Sequence, residues 1–126
     1  MSTLSTANIQ SKAANTPPVI KDLNGTECGQ FCRAWVVSTN TGSILDSFNV
    51  SSVTEDGGGN EDYTVNFTTA FSNANYAAVA DCNATNDDGG QAFVDNKTAS
   101  SCIVNVRTTN GSNNAVTGFA CVVFGD

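Results

Sequence analysis

The chain has 126 residues, a net charge of −7 and only 13% charged side chains. That length accommodates one domain plus at most a short arm. The negative charge argues against nucleic-acid phosphates or an anionic membrane surface as partners, and no apolar stretch approaches the roughly 20 residues of a membrane span. Neutral Asn, Ser, Thr and Gly carry the solubility, and helix formers such as Lys, Glu and Leu are few, so an all-β domain is expected. The first residues lack a basic segment followed by an apolar core, so no secretory signal is legible and folding in a cytoplasm is expected.

In chain order, residues 1–30 differ from the rest. Met1 to Lys21 shows no strand alternation and no aromatic residue, and Thr16-Pro17-Pro18 biases it toward extended geometry. Ile9, Val19, Ile20 and Leu23 are spaced like anchors of an extended arm, with Pro17 and Pro18 stiffening it. Such a segment buries little by itself: it is either disordered or ordered against a partner chain, and ordering on a partner is the expectation. From Phe31 the strand signals are dense. Strands are predicted at Phe31–Ser38, Ile44–Thr54, Asp62–Phe71, Asn75–Asp81, Gly90–Asp95, Ser101–Thr108 and Ala115–Phe124. The clearest run is Tyr63 to Phe71. Its odd positions (Tyr63, Val65, Phe67, Thr69, Phe71) are apolar or Thr and its even positions small or polar, the pattern of a half-buried strand. Ser72-Asn73-Ala74-Asn75 then reads as the turn of a hairpin to Tyr76–Ala80. Asn40-Thr41-Gly42, Asp56 to Asn60, Asp87 to Gly90 and Asn110-Gly111 read as further turns. Short strands at this spacing predict a small antiparallel β-sandwich over 31–126, preceded by an extended N-terminal arm over 1–30.

Residues able to carry chemistry are sparse. There is no His, so a Ser or Cys nucleophile would need a Lys or an amino terminus as its base, and Lys12, Lys21 and Lys97 stand in no recognisable setting. The acids cluster in turns, where positioning a carboxylate pair is difficult. No catalytic residue is assigned, and the chain is read as non-enzymatic. Glu55-Asp56-Gly57-Gly58-Gly59-Asn60-Glu61-Asp62 offers oxygen ligands for calcium but reads first as a solvated hairpin loop. Asp81 to Gly89 begins like a calcium loop, yet Asn86 replaces the required Gly and Ala92 stands where the closing acid belongs. No metal and no cofactor are expected. Asn-X-Ser/Thr recurs at Asn24, Asn49, Asn66, Asn83, Asn96 and Asn110, as chance allows in so Asn-, Ser- and Thr-rich a chain.

The five cysteines are 28, 32, 82, 102 and 121. Cys28 and Cys32 form the only close pair and lack a second pair for zinc. Cys82, Cys102 and Cys121 lie in apolar runs and read as small buried hydrophobes, the alternative being a disulfide formed after release into an oxidising medium. Trp35, Tyr63 and Tyr76 are expected in the core; an exposed Trp35 or Tyr76 would instead suit stacking on a sugar ring.

The blocks Cys32-Arg33-Ala34-Trp35-Val36, Ser47 to Thr54, Asp62 to Ala70 and Ala74-Asn75-Tyr76-Ala77 resemble a module of tailed bacteriophages, frequent in phages of cyanobacteria and other aquatic bacteria. Its members are described as tail-fibre or virion structural proteins. Ile9-Gln10-Ser11, Pro17 to Ile20 and Asp22 to Gly29 resemble the arm that precedes the module, so the resemblance spans residues 1 to about 80. Departures are Val37-Ser38-Thr39-Asn40, where an aromatic-Asn/Asp-Gly turn is common, Leu45-Asp46 at a commonly basic position, and a longer acidic Gly loop. Phe67 to Val79 is more weakly similar to H-type lectins. These resemblances imply a homotrimeric virion protein, a short tail fibre anchored by its arm to other virion proteins. A capsid decoration or head fibre, or a lectin-like module binding host surface glycan, are the alternatives.

Overall fold

The computed structural model describes residues 19–56, 61–84, 90–108 and 116–125. The chain divides after Phe31 into two compact units. The described part of the first is a hairpin, β1 (Val19–Lys21) and β2 (Glu27–Gln30). Asp22 makes its turn: its Oδ1 accepts from the backbone N–H of Asn24 at 2.9 Å and of Thr26 at 2.8 Å, while Gly25 takes φ 81°. The sequence reading placed no strand here, because a three-residue strand bounded by Pro18 and Asp22 carries too little alternation to register. Leu23 sits on the turn fully exposed, and Ile20 is exposed in β1.

The second unit, from Cys32, is a small antiparallel β-sandwich with no helix among its described residues. Its strands are β3 (Ala34–Thr39), β4 (Ile44–Phe48), β5 (Val50–Glu55), β6 (Glu61–Phe67), β7 (Ala77–Ala84), β8 (Gly90–Asp95), β9 (Ser101–Thr108) and β10 (Val116–Phe124). One four-stranded sheet runs β4-β3-β10-β7 and the other β5-β6-β9-β8. Alternate residues point inward: Ala34 and Val36 from β3, Tyr63, Val65 and Phe67 from β6, Cys102, Val104 and Val106 from β9, and Phe119, Cys121 and Val123 from β10. The four central strands thus supply most of the buried layer, as sandwich packing requires.

Two departures from the sequence reading have clear causes. Ile44–Thr54 is two strands in different sheets, divided at Asn49. Asn49 takes φ 56°, a left-handed conformation that Asn tolerates better than most residues. Its amide holds the crossing in place, donating to the carbonyls of Arg33 (3.2 Å) and Thr69 (3.1 Å) and accepting from the Thr69 N–H at 2.7 Å. The predicted hairpin between Tyr63–Phe71 and Tyr76–Ala80 does not form. β6 ends at Phe67, and β7 belongs to the opposite sheet. Residues 68–76 cross between the sheets and fold Phe71 and Tyr76 into one end of the core, against Phe67 at ring-centroid distances of 4.8 and 5.8 Å. The burial alternation stops at Phe67: residues 68–70 are exposed, and the chain turns inward again only at Phe71 and Tyr76.

The two ends of the sandwich differ. At the aromatic end Arg33 lies over the Phe71 ring at 5.0 Å and Lys97 over the Tyr76 ring at 5.3 Å, favourable cation–π placements. The Tyr76 hydroxyl donates to the Ser101 carbonyl at 2.8 Å. At the other end the Tyr63 hydroxyl donates to the Asn40 carbonyl at 2.8 Å, tying β6 of one sheet to the turn after β3 in the other. Burial, with the carboxylates of Glu61 and Glu55 adding to it, pushes the Tyr63 phenol up to about 12, so it remains a donor at neutral pH. Gly118 is required by close approach: a Cβ there would sit 2.2 Å from the Ser38 carbonyl oxygen.

Candidate functional site

The outer faces of the two sheets carry different chemistry. In the β4-β3-β10-β7 sheet, Trp35 lies opposite Phe48 on one side and Val122 on the other, and Val122 lies opposite Val79. Phe48, Trp35, Val122 and Val79 therefore form one row across all four strands, on the side turned away from the core. Phe48 is 55% and Val79 68% exposed at the two edges, while Trp35 and Val122 are half-buried in the centre. The next row is Asp46, Val37, Ala120 and Asp81, so an acid stands at each edge beside the apolar row. Phe124, opposite Ala77, extends the apolar surface on the other side and is 39% exposed.

This row has a simple local origin. β3 reads Ala34, Trp35, Val36, Val37, Ser38, Thr39 and is apolar at four consecutive positions, and β10 likewise runs Cys121, Val122, Val123, Phe124. A strand covered on one face alternates apolar and polar; near-continuous apolar runs are expected of strands covered on both faces. Both central strands of this sheet thus carry apolar side chains on the covered and the uncovered side.

The outer face of the β5-β6-β9-β8 sheet is mostly polar, with Ile103 and the 48% exposed Phe93 as its apolar members. Its rows are Ser52, Asn66 and Ser101; Thr54, Thr64, Ile103 and Asp95; and Asp62, Asn105 and Phe93. The Asn66 amide donates to Ser52 Oγ at 3.1 Å, and Ser51 Oγ donates to the Asn66 carbonyl at 3.1 Å. Arg107 donates to Asp62 Oδ1 at 2.7 Å. Asn105 is 6% exposed and its Nδ2 has no hydrogen-bond partner. Glu61, at the adjoining end, has its carboxyl raised above the ordinary value by burial and by the Glu55 carboxylate, against the lowering effect of Arg107.

The residues singled out by sequence fall in different places. Trp35 is on the outer face of its sheet rather than in the core. Tyr76 is 3% exposed, packed on Phe71 and bonded through its hydroxyl, so its ring is not presented for sugar stacking. Tyr63 is in the core as expected. Ile20 and Leu23 lie exposed in the first unit; Ile9, Pro17 and Pro18 fall outside the described residues, as does the side chain of Val19. Both calcium-like loops run through residues outside the described set, 57–60 and 85–89, and among the described residues no group of three or more His, Cys, Asp or Glu is gathered as for a metal. Sequence reasoning missed Phe48, Val79 and Val122. The signal was the near-continuous apolar run in β3 and β10, but only strand order shows that the four side chains line up. No helix among the described residues is long and apolar enough to cross a membrane. Compared with protein-family models, with curated proteins and with solved structures, the chain has no match in any of the three.

Proposed function

We propose that this chain is a non-enzymatic virion structural protein of a tailed bacteriophage, a short homotrimeric tail fibre whose N-terminal arm anchors it to other virion proteins and whose β domain is exposed. The observation that carries the reading is the apolar row Phe48–Trp35–Val122–Val79 on one outer face, set against the hydrogen-bonded polar lattice on the other. Aromatic and aliphatic side chains left on an open sheet face are the material of a subunit interface. One sticky face and one wet face suit a subunit that packs about an axis and shows its other side to water. The ordered sequence blocks from Cys32 to Ala77 support the phage assignment by resemblance. A capsid decoration or head fibre uses the same asymmetry, with a capsid subunit as the partner.

Immunogold labelling of intact particles with an antibody to the β domain tests the reading, together with mass spectrometry of purified particles. Label on the tail is the expected result, and label on the head selects the decoration. Absence of the protein from particles overturns the virion assignment. A second reading, a glycan-binding module, is favoured by one observation: Trp35 and Phe48 form a cross-strand aromatic pair on an accessible face. Glycan-array binding that disappears in Trp35→Ala supports it, and binding untouched by that substitution removes it.

A further inference from the structure

Cys102 and Cys121 meet in the middle of the sandwich from opposite sheets. Cys102 is on β9, between Val104 and the end of the strand near Tyr76, and is 0% exposed; Cys121 is on β10 and is 1% exposed. Both strands are central ones, β9 flanked by β6 and β8, and β10 by β3 and β7. The registers put Cys102 beside Val65 in its own sheet and Cys121 between Val36 and Ala80 in the other, so their side chains project into the same apolar layer. There the two free thiols act on each other directly, and the Tyr76 hydroxyl, which donates to the Ser101 carbonyl, lies beside Cys102. Neither sulfur is needed merely to fill space, since valine occupies the equivalent inward positions Val104, Val106 and Val123.

We propose that Cys102 and Cys121 are a modification site: an intrachain disulfide that joins the two sheets when the chain meets an oxidising medium. The oxidant is a small-molecule disulfide such as oxidised glutathione. The Cys102 thiolate attacks one of its sulfurs and expels a thiolate, leaving a mixed disulfide on Cys102. Cys121, giving its proton to that leaving thiolate, attacks the Cys102 sulfur and expels the second small thiol. The two protein thiols lose two electrons and two protons, and the small disulfide is reduced to two thiols. Because both sulfurs are covered, exchange proceeds in the folding chain or during local opening. Cys32 is a competitor. It is half-buried, with its Sγ 3.2 Å from the Ala34 carbonyl and 3.6 Å from that of Val123, on the strand that carries Cys121.

The test is refolding of the full chain in a glutathione redox buffer, followed by acid quench, alkylation under denaturing conditions and tryptic mapping. The reduced chain has five alkylatable cysteines. Oxidation is expected to leave Cys28, Cys32 and Cys82 alkylated and to join peptides 98–107 and 108–126. The oxidised chain is expected to unfold at a higher denaturant midpoint than the reduced one, and Cys32→Ser is expected to oxidise identically. Cys102→Ser and Cys121→Ser are each expected to abolish the cross-link; should either fold poorly, Cys82→Ser and Cys32→Ser, which keep the pair, still report the linkage. Five free thiols in both native and refolding incubations would overturn the proposal. So would a map joining 108–126 to 22–33, which would assign the bond to Cys28 or Cys32.

Discussion

The two sheets share one core but present opposite exteriors. Outside the β4-β3-β10-β7 sheet, Phe48, Trp35, Val122 and Val79 line up with no polar side chain in the row. Outside the β5-β6-β9-β8 sheet, Asn66, Ser52, Asp62 and Arg107 engage one another or the backbone. The difference teaches where the chain spends specificity. The inward faces are interchangeable in character, both rich in valine with one or two aromatic rings. The outward faces are not: one carries a continuous aromatic and aliphatic row, the other mostly polar side chains with Phe93 as its exposed apolar exception.

That contrast can be broken by charge. Val122→Lys puts an ammonium in the centre of the apolar row without touching the core. Loss of a central interface anchor costs about 2 kcal/mol or more, so self-association measured by sedimentation should weaken at least about thirtyfold. Thr64→Lys, the matching change in the centre of the polar face, should leave association unchanged. Equal effects from the two substitutions would show that the apolar face is not the contact.

Smaller effects sharpen the polar side. Asn105 keeps an amide nitrogen buried without a partner. Asn105→Leu should therefore raise stability in urea titration by about 1 kcal/mol, the usual penalty of an unsatisfied group removed. A loss of stability would mean that the amide's other contacts outweigh it. The Arg107–Asp62 pair spans 2.7 Å but is 34% and 26% exposed on its two sides. Arg107→Ala should cost less than about 1 kcal/mol, and less still at high salt.

The smallest effect concerns pH. The Glu61 carboxyl is raised from its ordinary 4.5 by burial first and by Glu55 second. A raised carboxyl means that the folded chain holds its proton where the unfolded chain has released it. The Glu61 contribution to stability is therefore full below about 4.5 and is lost as pH rises through the higher folded value. Subtracting the Glu61→Gln curve of urea midpoint against pH from the native curve should leave a decline across that window. A flat difference would mean that Glu61 titrates as if exposed.

Much of this was legible in the residues. Gly90–Asp95 and Ser101–Thr108 are strands at the predicted bounds, because clear turn residues flank each run. Tyr63, Val65 and Phe67 are inward, as their alternation implies. The break at Asn49 was not legible, since Val50 and Val53 continue the apolar pattern across it and the crossing depends on contacts with Arg33 and Thr69, distant in sequence. Phe71 and Tyr76 misled for the opposite reason: they are buried, but by closing the core end rather than by pairing as strands. Trp35 is expected inside because it alternates among apolar neighbours, yet its parity along β3 is that of the outer face.

Alternation, turn chemistry and charge are local properties, so the residues alone mark a β protein with frequent turns, abundant neutral polar side chains and an acidic balance. Only the tertiary structure decided which strands are neighbours, that Phe48, Trp35, Val122 and Val79 form one row, and that Cys102 and Cys121 face each other. Strand order is set by how two sheets together bury the most apolar area, and that quantity belongs to the whole chain rather than to any segment of it.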